Sequence, residues 1–319
     1  LDAEAIIIDE ASMLDISLTY HLLKAIPGGC RLIFVGDVDQ LPSVGAGSVL
    51  KDMIRSGRMP VVRLENVFRQ AEVSPIVRNA HKINRGQMPE FLAGADSEFA
   101  LEEFANEQDA AEFVARTYAQ LTSGGDWRRV QVLTPMHKNP CGVQNLNKLL
   151  QKYLNPPSAA KPEVNIPGNV LRVGDKVMQI KNNYDIRWFR ENGETGEGIF
   201  NGDIGIITKI DRKTKSLVVK FFDKIARYTF EFAGDLDFAY AITVHKSQGN
   251  EFDAVIIPMF SGPPQLYYRN LLYTAVTRAK KTLVLVGNPS TVEYMVNNNR
   301  RTKRYSGLKE FLLRDDTLY

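Results

Sequence analysis

Two adjacent acids, Asp9 and Glu10, follow an apolar run in the stretch AIIIDEAS, residues 5–12. Such a run is typical of a strand that is buried on both faces of a parallel sheet. Ligands of open α/β sheets lie beyond the carboxyl ends of these strands. There Asp9 can hold Mg²⁺ and Glu10 can polarise a water molecule. The alternative is a helix amino terminus, whose dipole favours acids.

A second apolar run, RLIFVGD (residues 31–37), also ends in a polar loop. Gly36, Asp37 and Gln40 follow it, and an uncharged Gln40 can orient a water molecule or contact a terminal phosphate. The alternative is an ordinary polar loop with a helix cap. Two neighbouring parallel strands that both end in acid-rich loops favour nucleotide chemistry over that alternative.

The other apolar runs alternate with helix-like segments, which predicts a mostly parallel sheet with crossover helices. Further strands are predicted at residues 130–135, 253–258 and 281–287. Helices are predicted at residues 15–25, 74–84, 108–122, 142–153 and 267–279. Ser74 and Asp109 are the expected caps, and Pro75 fits a first helical turn.

The pattern changes between about residues 154 and 240. A proline-rich connector is followed by short alternating runs, KVMQIKN, GDIGIITKID, SLVVKFFD and ARYTFEF. These runs predict a small antiparallel barrel inserted into the α/β domain. We expect Phe200 in the barrel core and a polar loop at 185–198. Trp188 and Phe189 are left open between core packing and stacking on bases.

Composition narrows the class of protein. The 319 residues carry a net charge of +3 and two cysteines without metal-ligand spacing, which argues against a disulfide framework or a zinc site. This cysteine usage is expected in a reducing compartment such as the cytoplasm. No run approaches the roughly 18 apolar residues of a membrane span. From Arg269 onward ten basic residues stand against four acids, which fits a nucleic-acid face or a solvated helix surface equally well.

Five segments together resemble a known family. IIIDEASM and GDVDQLPSVGAG are similar to motifs II and III of superfamily 1 helicases. LENVFRQ (64–70), YAITVHKSQGNEFDAVII (240–257) and LLYTAVTRAKKTLVLVG (271–287) resemble motifs IV, V and VI. VLTPMHKNPCGVQNLNKLLQ (132–151) and IFNGDIGII (199–207) narrow the resemblance to the RecD-like/TraA branch, whose members move 5′ to 3′ on single-stranded DNA.

The resemblance implies an ATP hydrolase with Mg²⁺. Asp9 is similar to the Mg²⁺-associated acid, Glu10 to the residue that activates water, and Gln40 to the γ-phosphate sensor. Arg69 and Arg278 resemble the arginines that reach the γ-phosphate from the second motor domain, and guanidinium forks onto phosphate. Either arginine alone would more often be a solvated surface residue. The implied nucleotide contacts are Gly36, Asp37, Gly249 and Glu251.

The implied DNA contacts lie on two loops that each follow a strand. They are Thr134, Pro135, His137 and Lys138 on one loop, and Thr243, His245 and Lys246 on the other. Hydroxyls, amides and cations there can track a phosphate backbone without reading sequence. Either histidine alone would more often be an ordinary hydrogen-bonded residue. The implied partners are single-stranded DNA and its junctions with duplex, either alone or within a nuclease complex, and no membrane.

The implied architecture has two RecA-like motor domains, the first incomplete, and an inserted SH3-like β-barrel. We expect part of the first at 1–66, the second at 67–165 and 240–319, and the barrel at 166–239. No G-x-x-x-x-G-K-[ST] occurs in the chain. The P-loop is therefore expected upstream, in a 5′–3′ helicase or translocase of DNA repair, recombination or conjugation. The alternative is a non-hydrolysing DNA-binding or protein-interaction module.

Overall fold

The chain divides into two units in a computed structural model, which describes residues 2–64, 74–91, 97–299, 304 and 306–314. The first unit comprises Leu1–Glu90, Pro263–Thr277 and Val292–Tyr319. The second unit comprises Phe91–Gly262 and Arg278–Thr291.

The helices of the described residues are α1 (Ile16–Ala25), α2 (Val49–Ser56), α3 (Pro75–Asn84), α4 (Glu107–Leu121), α5 (Val143–Leu154), α6 (Arg269–Val276), α7 (Pro289–Asn297) and α8 (Leu308–Leu313). The strands are β1 (Ala5–Ile8), β2 (Arg31–Phe34), β3 (Phe99–Glu103), β4 (Val130–Thr134), β5 (Glu163–Ile166), β6 (Asn169–Arg172), β7 (Lys176–Gln179), β8 (Asn183–Phe189), β9 (Thr195–Ile199), β10 (Ile204–Asp211), β11 (Ser216–Lys220), β12 (Ile225–Thr229), β13 (Leu236–Phe238), β14 (Ala241–Thr243), β15 (Phe252–Met259) and β16 (Ala279–Gly287).

The first unit contains a parallel pair of strands, β1 and β2, in which Ile8 lies opposite Phe34. Ile8 and Phe34 pack against a small core that includes Val49 and Leu50 of α2. The expected burial of these strands on both faces is wrong, because Ile7 is 68% exposed. Only one face of this two-stranded sheet is covered by helices within the described residues, so alternate side chains face outward.

The second unit contains a five-stranded parallel sheet in the order β14-β4-β15-β16-β3. Every residue of β4 is buried, as the apolar run predicts. β3 lies at one edge, beside β16, and was not predicted because its sequence, FALEE, ends in two acids. The crossover helix α4 packs on β4, β15 and β16. This arrangement is the predicted parallel sheet with crossover helices.

The inserted segment forms a seven-stranded antiparallel sheet in the order β13-β7-β10-β11-β12-β8-β9. The four alternating runs are β7, β10, β11 and β12. The polar loop expected at 185–198 is wrong, since β8 and β9 pair there and Trp188 lies opposite Gly196. The core position expected for Phe200 is also wrong. Phe200 follows β9 at a turn, is 40% exposed and contacts the edge of the Tyr184 ring.

Two buried ionisable residues join this sheet to the parallel sheet. Asp175 accepts hydrogen bonds from Asn155 Nδ2 (2.6 Å), Gln151 Nε2 (2.7 Å) and the Tyr240 hydroxyl (3.0 Å). Burial raises the pKa of the Asp175 carboxyl, although these donors act in the opposite direction. Lys176, the next residue, donates from Nζ to the Val130 carbonyl at 2.8 Å. The polar contacts fix the insertion to the helix and strands that flank it.

Helix ends follow the predictions in part. Ser74 is the N-cap of α3 and Pro75 its first residue, but the Ser74 side chain makes no capping hydrogen bond. The cap expected at Asp109 is wrong, because Asn106 caps α4 by accepting from the Gln108 amide at 2.6 Å. Helix α6 is shorter than predicted. It ends at Val276, since β16 begins at Ala279.

Candidate functional site

The tips of β1 and β2 bring the predicted acids beside the second polar loop. The Val35 amide donates to the Ile8 carbonyl at 2.8 Å, and the Ala11 amide donates to the Val35 carbonyl at 2.8 Å. Glu10 lies between them with a left-handed backbone (φ 50°), and its amide donates to Asp9 Oδ1 at 2.8 Å. The strand register therefore places Asp9 and Glu10 at the same edge as the loop after β2, as predicted.

Gly36 allows this close approach. A Cβ at Gly36 would lie 3.0 Å from the amide nitrogens of Ala11 and Ser12 and 3.0 Å from Leu50 Cδ2. A side chain at this position would therefore push the two strand tips apart. Its predicted contact with a nucleotide stays a prediction.

Gln40 lies in a loop that is bonded to α6. Asp37 accepts from the Asp39 amide through Oδ1 (2.8 Å) and from the Tyr273 hydroxyl through Oδ2 (2.9 Å). The Leu41 amide donates to Thr274 Oγ1 at 2.9 Å. The residues on each side of Gln40 are thus fixed, and Gln40 itself is half-buried.

The helical residues of this contact were missed at the level of sequence. Asn270, Tyr273 and Thr274 stand at the i, i+3 and i+4 spacing that places polar side chains on one helix face. That spacing was the available signal.

Arg304 holds the second half of the same loop and was predicted only as part of the basic carboxyl-terminal excess. Its Nη1 donates to Ser43 Oγ (3.2 Å) and to the carbonyls of Gly45 (2.6 Å) and Gly47 (3.1 Å). A cavity of about 120 Å³, lined in part by Gln40, Lys51 and Arg304, lies beside the loop. Two cations next to Gln40 favour anionic groups there.

Asp9 is the one predicted metal residue. Among the described residues there is no group of three His, Cys, Asp or Glu side chains that could hold a metal ion. A single exposed carboxylate at a strand end suits Mg²⁺ that is carried by a nucleotide, because that ion is usually bound by one or two carboxylates together with phosphates. Asp9 therefore fits a Mg²⁺–nucleotide complex better than a protein-only metal site.

The second unit brings Arg278 together with the predicted motif V residues. Arg278 is buried (4% exposed), and its Nη1 donates to the Asn250 carbonyl at 3.1 Å. The neighbouring Glu251 forms an ion pair with Lys280 at 2.8 Å. Gly249 is exposed and has a left-handed backbone (φ 76°), which favours glycine. Arg69 lies outside the described residues.

The two predicted DNA loops emerge side by side, since Thr134 at the end of β4 lies opposite Thr243 at the end of β14. Both threonines are buried, and Thr134 Oγ1 donates to the Cys141 carbonyl at 3.0 Å. Pro135 is buried as well. Thr134, Pro135 and Thr243 therefore stabilise the conformation of the two loops. Direct DNA contact by these three stays a prediction.

The outer residues of the two loops include two lysines and two histidines. His137, Lys138 and Lys246 are exposed and His245 is half-buried. Burial, and to a smaller extent the charge of His137, lowers the pKa of His245. His245 is therefore neutral at neutral pH and can accept or donate a hydrogen bond, whereas the two lysines supply the charge that a phosphate backbone needs.

Three sequence families match the chain. A family described as the ATP-dependent RecD-like DNA helicase SH3 domain matches residues 146–221. The UvrD-like helicase C-terminal domain matches residues 238–286, and an AAA domain matches residues 2–106. The resemblance to RecD-like superfamily 1 helicases is confirmed. The inserted antiparallel sheet is the SH3 domain and the parallel sheet belongs to a RecA-like core, as predicted.

Curated relatives agree with these matches. The chain is 35% identical over 300 residues to the ATP-dependent RecD2 DNA helicase of Deinococcus radiodurans, covering 94% of this chain and 38% of that protein. It is 28% identical over 334 residues to the RecBCD enzyme subunit RecD of Mycobacterium tuberculosis, covering 97% of this chain and 53% of that protein. The chain thus spans about half of the length of these relatives or less.

Solved structures share the fold. The Pif1 helicase from Bacteroides, in complex with ADP-AlF3 and ssDNA, superposes with a TM-score of 0.53 at 21% identity and covers 92% of this chain and 72% of its own. Among the described residues, no helix has the length and apolar character that a membrane span requires.

Proposed function

We propose that this chain is part of an ATP-dependent DNA helicase that couples ATP hydrolysis to 5′–3′ movement along single-stranded DNA. The observation that carries the proposal is the pair of parallel strand tips, where Asp9 and Glu10 lie beside the loop of Gln40. Strand-end acids next to a polar sensor residue are the arrangement that phosphoryl transfer needs. The RecD-like relatives, one of them an ATP-dependent DNA helicase, support the same activity.

Each residue has a role in this proposal. When bound, Mg²⁺–ATP supplies the γ-phosphoryl group and the charge that neutralises it. Asp9 would hold the ion, and Glu10 would accept a proton from the attacking water. Gln40 contacts the γ-phosphate, and Arg69 and Arg278 stabilise the charge of the transition state. Gly36, Asp37, Gly249 and Glu251 complete the proposed nucleotide site.

The proposed DNA face is the pair of loops after β4 and β14. Lys138, Lys246 and His137 are exposed there and meet the phosphate backbone, with His245 as a hydrogen-bonding neighbour. Thr134, Pro135 and Thr243 are proposed as further DNA contacts, and being buried they also hold the loops in shape. Binding of this kind tolerates any sequence and weakens with salt. Single-stranded DNA and its junctions with duplex are the proposed partners, with a nuclease complex as a further setting in a reducing, cytoplasmic compartment.

The proposed domains are part of a first motor domain (1–66), a second motor domain (67–165 and 240–319) and the SH3-like barrel (166–239). Because the chain contains no G-x-x-x-x-G-K-[ST], we expect the 319 residues alone to hydrolyse ATP very poorly. Fast DNA-stimulated hydrolysis by the isolated chain would contradict this expectation.

The proposal is tested by Glu10→Gln in the whole protein that carries this chain. Loss of a general base lowers the rate of the chemical step by about 10³-fold, so ATP turnover should fall by that order while ATP binding is retained. Glu4→Gln is the matched control, since Glu4 is an exposed glutamate that precedes the same strand. Unchanged turnover in Glu10→Gln would remove Glu10 from its proposed role.

A further inference from the structure

Helix α6 and the loop of Gln40 are joined by hydrogen bonds from one helix face. The Tyr273 hydroxyl donates to Asp37 Oδ2 at 2.9 Å, and Asn270 Nδ2 donates to the Asp39 carbonyl at 2.6 Å. The Leu41 amide donates to Thr274 Oγ1 at 2.9 Å. The contacts fall on residues 37, 39 and 41, so they bracket Gln40 on both sides.

Burial and geometry make this contact specific. Leu41 and Thr274 are fully buried, and Thr274 Oγ1 also donates to the Asn270 carbonyl at 2.8 Å. A buried amide that loses its acceptor is costly, so the Leu41–Thr274 bond resists a shift of the loop. Asp39 is held from another side as well, because Asn84 of α3 donates to its Oδ2 at 3.0 Å.

Asp37 connects the loop of Gln40 to α6. Its Oδ1 closes the turn of its own loop onto the Asp39 amide, and its Oδ2 receives the Tyr273 hydroxyl. A carboxylate with each oxygen engaged by a protein donor is fixed in orientation, and charged acceptors make the stronger hydrogen bonds. The Tyr273 hydroxyl is thus the link between α6 and the turn that leads to Gln40.

We propose that Tyr273 is a positioning residue that acts through Asp37: it locks the Gln40 loop to α6, so that the γ-phosphate sensor and this helix move together. The proposal rests on the function proposed above and deepens it. Asp37 then serves the reaction by orienting the loop and not by direct contact with the nucleotide.

The test is a double-mutant cycle of Tyr273→Phe and Asp37→Asn in the whole protein. DNA-stimulated ATP turnover gives kcat and KM for each variant. Tyr273→Phe should lower kcat about 10-fold and change KM for ATP less than twofold, because the loop loses its orientation while binding groups remain. Asp37→Asn should lower kcat similarly. The kcat of the double variant should be no lower than that of the less active single variant, since both substitutions remove the same interaction.

A second readout does not depend on activity. Hydrogen exchange at the amides of Asp39 and Leu41 should become about fivefold faster in Tyr273→Phe, the effect expected from loss of one hydrogen bond. Tyr294→Phe is the control, because Tyr294 is an exposed tyrosine of α7 and should match the wild type in both readouts.

The outcomes separate the two proposals. Kinetic effects that multiply in the double variant would overturn the positioning role. Normal kinetics in Tyr273→Phe, together with a tenfold higher KM for ATP in Asp37→Asn, would also overturn it and would return Asp37 to nucleotide binding. Unchanged exchange in Tyr273→Phe would overturn it too. A wild-type protein without ATP turnover would refute the proposed function, and the exchange measurement alone would then decide whether Tyr273 locks the loop.

Discussion

The second unit should become more stable as the pH rises from neutral, because the cost of burying Lys176 then falls. The side chain is 1% exposed, and Nζ donates to the carbonyls of Trp127 (3.0 Å) and Val130 (2.8 Å) and to Gln131 Oε1 (2.9 Å). None of these three acceptors is a carboxylate. Burial therefore lowers the pKa of Lys176 from 10.5 to about 7, and the charge of Asp126 offsets this only in part.

The sign follows from proton binding. Between pH 7 and 10.5 the unfolded chain holds a proton on Lys176 that the folded protein largely lacks, so stability rises with pH in this window. The cost of burying the lysine is nearly complete at pH 7, increases little below it, and is relieved as the pH approaches 10.5. With 1.36 kcal/mol per pKa unit, we expect a gain of about 2 kcal/mol between pH 7 and pH 9.

Urea unfolding of the wild type and Lys176→Met at pH 7, 8 and 9 measures this gain. The two tryptophans of the chain, Trp127 and Trp188, both belong to the second unit, so their fluorescence reports its unfolding. Lys176→Met also leaves two carbonyls without this donor, which lowers stability at every pH by about 1–3 kcal/mol for each. The test is therefore how the difference in unfolding free energy between the two proteins changes with pH, and not the size of that difference at one pH.

The wild type should gain about 2 kcal/mol relative to Lys176→Met over this range. Lys209→Met, which replaces an exposed lysine of β10, is the control and should keep the pH dependence of the wild type. Parallel curves for the wild type and Lys176→Met would show that Lys176 is charged in the folded protein at pH 9, and the reasoning from burial would then be wrong.

Three further predictions concern the two sites. Gly142→Ala should destabilise the second unit by about 1–3 kcal/mol and weaken DNA binding, because the added Cβ would lie 2.1 Å from the Lys138 carbonyl oxygen. Thermal unfolding measures the loss of stability, with Gly124→Ala as the control, since a Cβ at Gly124 meets nothing within 4 Å. Lys246→Ala should weaken binding of single-stranded DNA and reduce the slope of log K against log salt by about 0.7, whereas exposed Lys152→Ala should change neither in a fluorescence titration. Arg304→Ala should lower the unfolding free energy of the first unit by about 1–3 kcal/mol, since the loop of Ser43–Gly47 loses three hydrogen bonds, and an effect no larger than that of exposed Arg314→Ala would contradict this.

The elements with strong periodicity could be predicted from the sequence. β4 and β15 are buried apolar runs, and α1 begins directly after Asp15, which caps it by accepting from the Leu18 amide at 2.7 Å. The strands that were missed have weaker patterns. β8 and β9 carry charged and glycine residues, and their pairing depends on Trp188 lying over Gly196, a contact that only the cross-strand register defines.

The candidate site was predictable as residue types but not as contacts. The sequence places Asp9, Glu10 and Gln40 after two strands, and the parallel register then sets them at one edge. The helical spacing places Tyr273 on a polar helix face, but it does not show that its partner is Asp37, more than 200 residues earlier. Burial of β1 and β2 was overestimated for a related reason, because an apolar strand is buried on both faces only when other elements cover both.

Strand displacement by the whole protein tests the central claim most directly. Duplexes with a 5′ or a 3′ single-stranded tail, with Glu10→Gln as the hydrolysis-deficient control, report ATP-driven movement and its direction together. We expect ATP-dependent unwinding of the 5′-tailed duplex by the wild type and none by Glu10→Gln. Unwinding that prefers the 3′ tail, or that persists in Glu10→Gln, would contradict the account.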